Sequence, residues 1–177
     1  VLIERDPARD TEDVLRALGA VLDAHRARGI VIREVPDGLL VRALVPPHPG
    51  APLEGALVPM ERLLRTSDIF TARMAAVARR GTDHRAGPIE RALRQVGRAI
   101  DAGSLTAFVV LQREWDGAWL VWHGLGAYRE AQLVTFGPDD IDRLEAAAAG
   151  ARMPIGATPF GDTAAVLRPQ GLPVPAG

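Results

Sequence analysis

The stretch Leu15-Arg16-Ala17-Leu18-Gly19-Ala20-Val21-Leu22-Asp23-Ala24 recurs in outline as Leu93-Arg94-Gln95-Val96-Gly97-Arg98-Ala99-Ile100-Asp101-Ala102. The leading Leu-Arg, the central glycine and the closing Asp-Ala coincide in both copies. Around the first copy, Val14, Leu15, Leu18, Val21 and Leu22 repeat at helical spacing. Thr11 to Arg28 therefore reads as an amphipathic helix, with Asp10 or Thr11 as N-cap and Gly29 as its stop. Around the second, Pro88 takes the first helical position, Ile89, Leu93, Val96 and Ile100 form the buried face, and Gly103 ends the helix. Glycine inside a helix costs about 1 kcal/mol relative to alanine. The matched Gly19 and Gly97 therefore predict a close helix-to-sheet approach in each copy.

Working outward, each helix is followed by a hairpin. Ile30 to Val35 and Leu39 to Val45 are apolar runs divided by Pro36-Asp37-Gly38, where glycine accepts the turn's positive φ. Ala107 to Glu114 and Ala118 to His123 are joined through Trp115-Asp116-Gly117, and a third strand follows at Glu130 to Phe136. With a one-residue slip, Ile30-Val31-Ile32 and Asp37-Gly38 fall on Val109-Val110-Leu111 and Asp116-Gly117, which extends the repeat beyond the helices. Pro46, Pro47, Pro49 and Pro52 make a loop. A second helical stretch is expected from about Pro59 to Arg80, with Leu63, Phe70, Met74 and Val77 on one stripe and Thr66-Ser67-Asp68 recapping a break. Pro138 with Asp139 and Asp140 opens a last helix to about Ala149.

The expected fold class is α+β: duplicated helix/β-hairpin units forming an antiparallel sheet packed by helices, in the order α-β-β-α-α-β-β-β-α. The chain divides into a first unit with its Pro-rich loop (1–52), a helical linker (53–87), the second helix with three strands and a closing helix (88–150), and a Pro/Gly-rich C-terminal tail (151–177). This element order resembles the Roadblock and longin-like families of dimerising regulatory domains, by topology alone. The resemblance implies a scaffold for a partner protein or a small GTPase.

Composition narrows the function classes. The 177 residues contain no cysteine, and all 21 basic residues are arginine. Lysine and asparagine are both absent, as a GC-rich bacterial genome would dictate, since their codons are AT-rich. Without cysteine or lysine, thiol catalysis, Cys-type zinc sites and Schiff-base chemistry are excluded. A net charge of -1 supplies no general attraction to polyanions. No apolar run approaches the roughly 20 residues that span a bilayer, and Val1-Leu2-Ile3-Glu4-Arg5-Asp6 lacks a signal-peptide core, so a cytoplasmic protein without membrane insertion is expected.

No nucleotide-binding loop, metalloprotease helix, calcium loop or nucleophile elbow occurs, and no cofactor, metal site or catalytic residue is assigned. His25 suits a helix end, while His48 and His84 sit in loops. His123 shares a strand face with Trp119 and Val121, with Leu120 and Trp122 opposite, and Tyr128, Arg129 and Glu130 nearby. Large apolar groups on both sides predict a strand that is central or covered on both faces.

The leading functional expectation is a non-enzymatic protein–protein interaction or assembly module, a subunit or scaffold of a larger complex, bound to a protein partner or to copies of itself. Its candidate contacts are Trp115, Trp119, Trp122, His123, Tyr128, Phe160 and Leu167. Trp115 stands at a hairpin tip, and Phe160 and Leu167 are apolar anchors in the tail. The alternative is an Arg-mediated nucleic-acid binder using Arg79, Arg80, Arg85, Arg91, Arg94 and Arg98. The third is a small-molecule enzyme or ligand-binding domain around His123.

Overall fold

The computed structural model describes residues 10–78, 85–124 and 132–150. In chain order the elements are α1 (Asp10–Ala24), β1 (Arg28–Val35), β2 (Gly38–Val45), β3 (Val58–Arg65), α2 (Thr66–Ala78), α3 (Pro88–Ala102), β4 (Val109–Arg113), β5 (Ala118–His123), β6 (Gln132–Phe136) and α4 (Pro138–Gly150). The strands form one six-stranded sheet in the order β3-β2-β1-β4-β5-β6, every neighbouring pair antiparallel. The protein is thus α+β, as expected, and each half is an αβββα unit.

The expected order lacked β3. The residues that read as the start of a long helix form an edge strand, where Pro59 is tolerated because an edge position need not donate to a neighbour. The helix proper begins at the Thr66-Ser67-Asp68 cap: the Asp68 carboxylate accepts the Arg65 N–H at 3.0 Å. In the second half the Asp140 carboxylate accepts the Gly137 N–H at 2.9 Å, so β3–α2 and β6–α4 are joined by the same device. The segment 53–87 is therefore the end of the first unit and not only a helical linker.

The halves meet across β1 and β4. Ile32 pairs directly with Val110, and the flanking pairs Val31–Leu111 and Arg33–Val109 exchange under a two-fold rotation about that point. Ile30-Val31-Ile32 consequently corresponds to Phe108-Val109-Val110, without the expected slip. The extra length lies in the hairpins: Val35 and Gly38 close the first around Pro36-Asp37, whereas Arg113 and Ala118 close the second around Glu114-Trp115-Asp116-Gly117. Gly38 is thus the counterpart of Ala118.

Gly19 and Gly97 do mark close approaches, but to a helix rather than to the sheet. A Cβ on Gly19 would lie 2.6 Å from Cα of Glu90 in α3, and one on Gly97 would lie 2.7 Å from Cα of Glu12 in α1. The two helices run antiparallel, and each ends on the other's start. Asp101 accepts the N–H groups of Thr11 (3.1 Å) and Glu12 (2.9 Å), while Asp23 accepts those of Ile89 (3.1 Å) and Glu90 (2.8 Å). Carboxylates there satisfy free donors and meet the positive end of each helix dipole. Burial raises both carboxyls above the ordinary aspartate value despite these bonds. Arg16 pairs with Glu90 at 3.3 Å and Arg94 with Glu12 at 3.2 Å, the former pair almost fully buried.

The helix ends also match. Arg26 and Ser104 adopt φ of 52° and 48°, and the residues after them, Ala27 and Leu105, donate to Leu22 (2.9 Å) and Ile100 (3.0 Å), which is the Schellman closure. Arg26 and Ser104 thus supply the left-handed residue of each helix cap; Gly29 is also left-handed, at φ 56°, but lies beyond the cap. Gly29 already belongs to β1, and Gly103 has φ -86°.

α2 packs beside α1 and α4 beside α3, so all four helices lie on one face of the sheet. Leu15, Leu18, Leu93, Val96, Ile69 and Ile141 from the helices share one core with Ile32, Val41, Val110, Val121 and Phe136 from the strands.

Two substitutions probe this frame. Gly19→Ala and Gly97→Ala should each lower the urea midpoint, because overpacking costs roughly 1–3 kcal/mol against a helix-propensity gain of about 1 kcal/mol. Leucine should be worse at both sites, and an unchanged midpoint would mean that the helices part freely. Ser104→Gly should instead stabilise by about 0.5–1 kcal/mol by relieving a left-handed non-glycine residue, read as a raised melting temperature.

Candidate interaction surface

Side chains alternate across a strand, so the pairing register sorts every strand residue onto one of two faces. The row Arg62–Val41–Ile32–Val110–Val121–Val134 belongs to the helix side, and the next row, Leu63–Leu40–Arg33–Val109–Trp122–Leu133, to the other. Among the described residues no helix covers this second face.

The two halves of that face differ. On the β4–β6 side, Ala118, Leu120 and Leu133 are buried although they lie outside the core cluster. On the β1–β3 side the counterpart of Leu120, Leu40, is only half-buried, Leu63 is 37% exposed and Leu44 40% exposed. Arg42, the counterpart of Trp122, pairs with Glu61, the counterpart of Leu133. Exposed Arg33 and Arg65 complete the β1–β3 side. None of these residues stands out by motif. Their signal is β2 itself, Leu39-Leu40-Val41-Arg42-Ala43-Leu44-Val45, apolar on both faces where one covered face would need only alternate apolar positions.

The expected aromatic contacts separate. Trp119 is 4% exposed in the core. Trp122 lies half-buried on the uncovered face. Trp115 is 82% exposed at the β4–β5 tip, stacked by the Arg113 guanidinium at 4.9 Å. Asp116 holds that guanidinium and accepts the Ala118 N–H at 3.1 Å; its hydrogen bonds from Arg113 lower its carboxyl below the usual range. His123 is half-buried on the helix side at the end of β5, and burial lowers its pKa, favouring the neutral ring. Tyr128, Phe160 and Leu167 lie outside the described residues. β5 is penultimate in the sheet rather than central, but Ala118 to Val121 are buried on both of its faces, as the second form of the expectation has it.

Of the other histidines, His25 is exposed with Nδ1 2.8 Å from the Val21 carbonyl at the end of α1, His48 is exposed in its loop, and His84 lies outside the described residues. Among the described residues no group of three His, Asp or Glu side chains could hold a metal ion, and no helix is long and apolar enough to cross a membrane.

The basic stretch is largely engaged. Arg91 pairs with Glu145 and Asp142 on α4, and Arg94 and Arg98 both reach Glu12 on α1, the latter at 2.7 Å. Arg85 is exposed; Arg79 and Arg80 lie outside the described residues. A phosphate at Arg91, Arg94 or Arg98 would have to displace a carboxylate that ties one helix to another.

Burial alone would raise the Glu12 carboxyl, but the hydrogen bonds and charges of Arg98 and Arg94 outweigh it and hold it below the ordinary value. A depressed folded-state pKa contributes stability that is present above the unfolded value and lost as pH falls through the folded one. Glu12→Gln should therefore destabilise by on the order of 1–2 kcal/mol near neutral pH and converge with the parent in acid. A deficit unchanged across urea titrations from pH 7 to about pH 3 would refute this linkage.

No known protein family, curated protein or solved structure matches this chain. The Roadblock and longin-like resemblance gains no support from them.

Proposed function

We propose that the protein is a non-catalytic association module that binds another protein through the β1–β3 part of its uncovered sheet face. The observation that carries this reading is the contrast between halves of a duplicated fold. Leu120 is buried on that face in the second half, whereas Leu40, Leu44 and Leu63 in the first retain exposure. A half-open apolar sheet face is what a partner layer would complete. Trp115, exposed at the hairpin tip, adds an aromatic of the kind enriched at binding hot spots.

The test is capture by the tagged chain from cells that express it natively, run beside Leu63→Asp. Leu63 is partly solvated, so the variant should keep its melting temperature and lose at least about 90% of a stoichiometric partner, since charge in a desolvated apolar contact is costly. Equal recovery by parent and variant would remove this face from the interaction, and Trp115→Ala in the same assay reports separately on the hairpin tip.

A further inference from the structure

Three places in the fold are candidates for more. The outer edge of β3 is obstructed for strand addition, since Pro59 has no N–H and the Arg65 N–H is held by Asp68. The buried Arg16–Glu90 pair is accounted for by the α1–α3 contact. The charge pattern of the β1–β3 face goes further.

On that face the cross-strand rows run, in order along β3, Pro59–Leu44, Glu61–Arg42–Val31, Leu63–Leu40–Arg33 and Arg65–Gly38–Val35. Leu63 and Leu40 therefore lie between Arg42 on one side and Arg65 on the other, each a row away, about 7 Å along the strands. Arg33 stands beside Leu40 in the same row. Glu61 is the one carboxylate on these rows and is already paired with Arg42. The result is an apolar strip fringed by guanidinium groups, whose planar forks suit carboxylates.

Building on the association reading above, we infer that the occupant of this face is an acidic amphipathic helix of another protein, its apolar stripe on Leu40 and Leu63 and its flanking carboxylates on Arg33 and Arg65, the arginines of these rows not already paired with Glu61. A helix is the matching element because helices are what pack the opposite face of the same sheet over its central strands. A second copy of this chain would bring the same arginines face to face, and like charges in a closing interface are repulsive. The chain's own 151–177 segment carries Arg152 and Arg168 against the single acid Asp162, so it too has the wrong sign.

The experiment uses the full chain and two labelled helical peptides of about 18 residues, five turns. Both carry one leucine stripe; in one it is flanked by glutamates and in the other by lysines. Fluorescence anisotropy should show the glutamate peptide binding at least about tenfold tighter, with the advantage shrinking as salt rises from about 50 to about 300 mM. Arg33→Glu/Arg65→Glu should remove that preference, and Leu63→Asp should abolish binding with the melting temperature retained.

Equal affinity for both peptides, or no binding of the glutamate peptide, overturns the inference. The association reading is judged separately, by whether Leu63→Asp loses the captured partner. A concentration-dependent dimer in sedimentation, dissolved by Leu63→Asp, would assign the face to a second copy and overturn it as well. So would displacement of the glutamate peptide by a synthetic peptide of residues 151–177.

Discussion

Everything in this molecule is arranged around the backbone contact between α1 and α3. Two helices that touch at Gly19 and Gly97 have no side chain to separate them there, so each runs close along the other. At that distance the C-terminal aspartate of one reaches the free N–H groups that begin the other. The contact is made twice, by equivalent residues, and the second occurrence fixes the orientation set by the first. A helix pair joined at only one end could pivot; joined at both, it presents a single apolar surface to the sheet. Ile32 and Val110, which pair directly beneath the two-fold axis, are completely buried.

That arrangement determines where binding can occur. With α1 and α3 at the centre and α2 and α4 outside them, one face of the sheet is used up in forming the core. The arginines of α3 that look like a basic patch in the sequence are drawn into the same assembly, Arg94 and Arg98 holding α1 and Arg91 holding α4. Exposed surface of mixed apolar and basic character is left on the other side of the sheet, chiefly on β1, β2 and β3.

The duplication gives that surface its contrast. Equivalent positions in the two halves meet the same geometric demands, so their differences are informative. Arg42 and Glu61 pair where Trp122 and Leu133 pack, and a two-residue turn stands where the other half carries the longer loop with Trp115. These substitutions leave the core untouched and alter only the face and tip that the helices do not reach. A pair of arginines beside solvent-facing leucines adds nothing to a core made by other residues.

The sequence by itself determined the duplicated helices, their paired glycines, the hairpins and the α+β class, because helical periodicity, turn chemistry and proline placement are local and act before the chain closes on itself. It also placed Trp115 at a hairpin tip, though whether the ring folds back or stays exposed there was left to the tertiary structure. It did not determine β3: Leu63, Phe70, Met74 and Val77 fit a helical stripe, and the pairing of Leu39 and Val41 with Leu64 and Arg62 that makes a strand of Val58–Arg65 is non-local. Nor could it tell that the glycines face a helix instead of the sheet, or that Arg91, Arg94 and Arg98 meet carboxylates from other elements. Which sheet face stays open was decided only by the tertiary structure, because an apolar residue on a strand carries no mark of the side from which its cover will come.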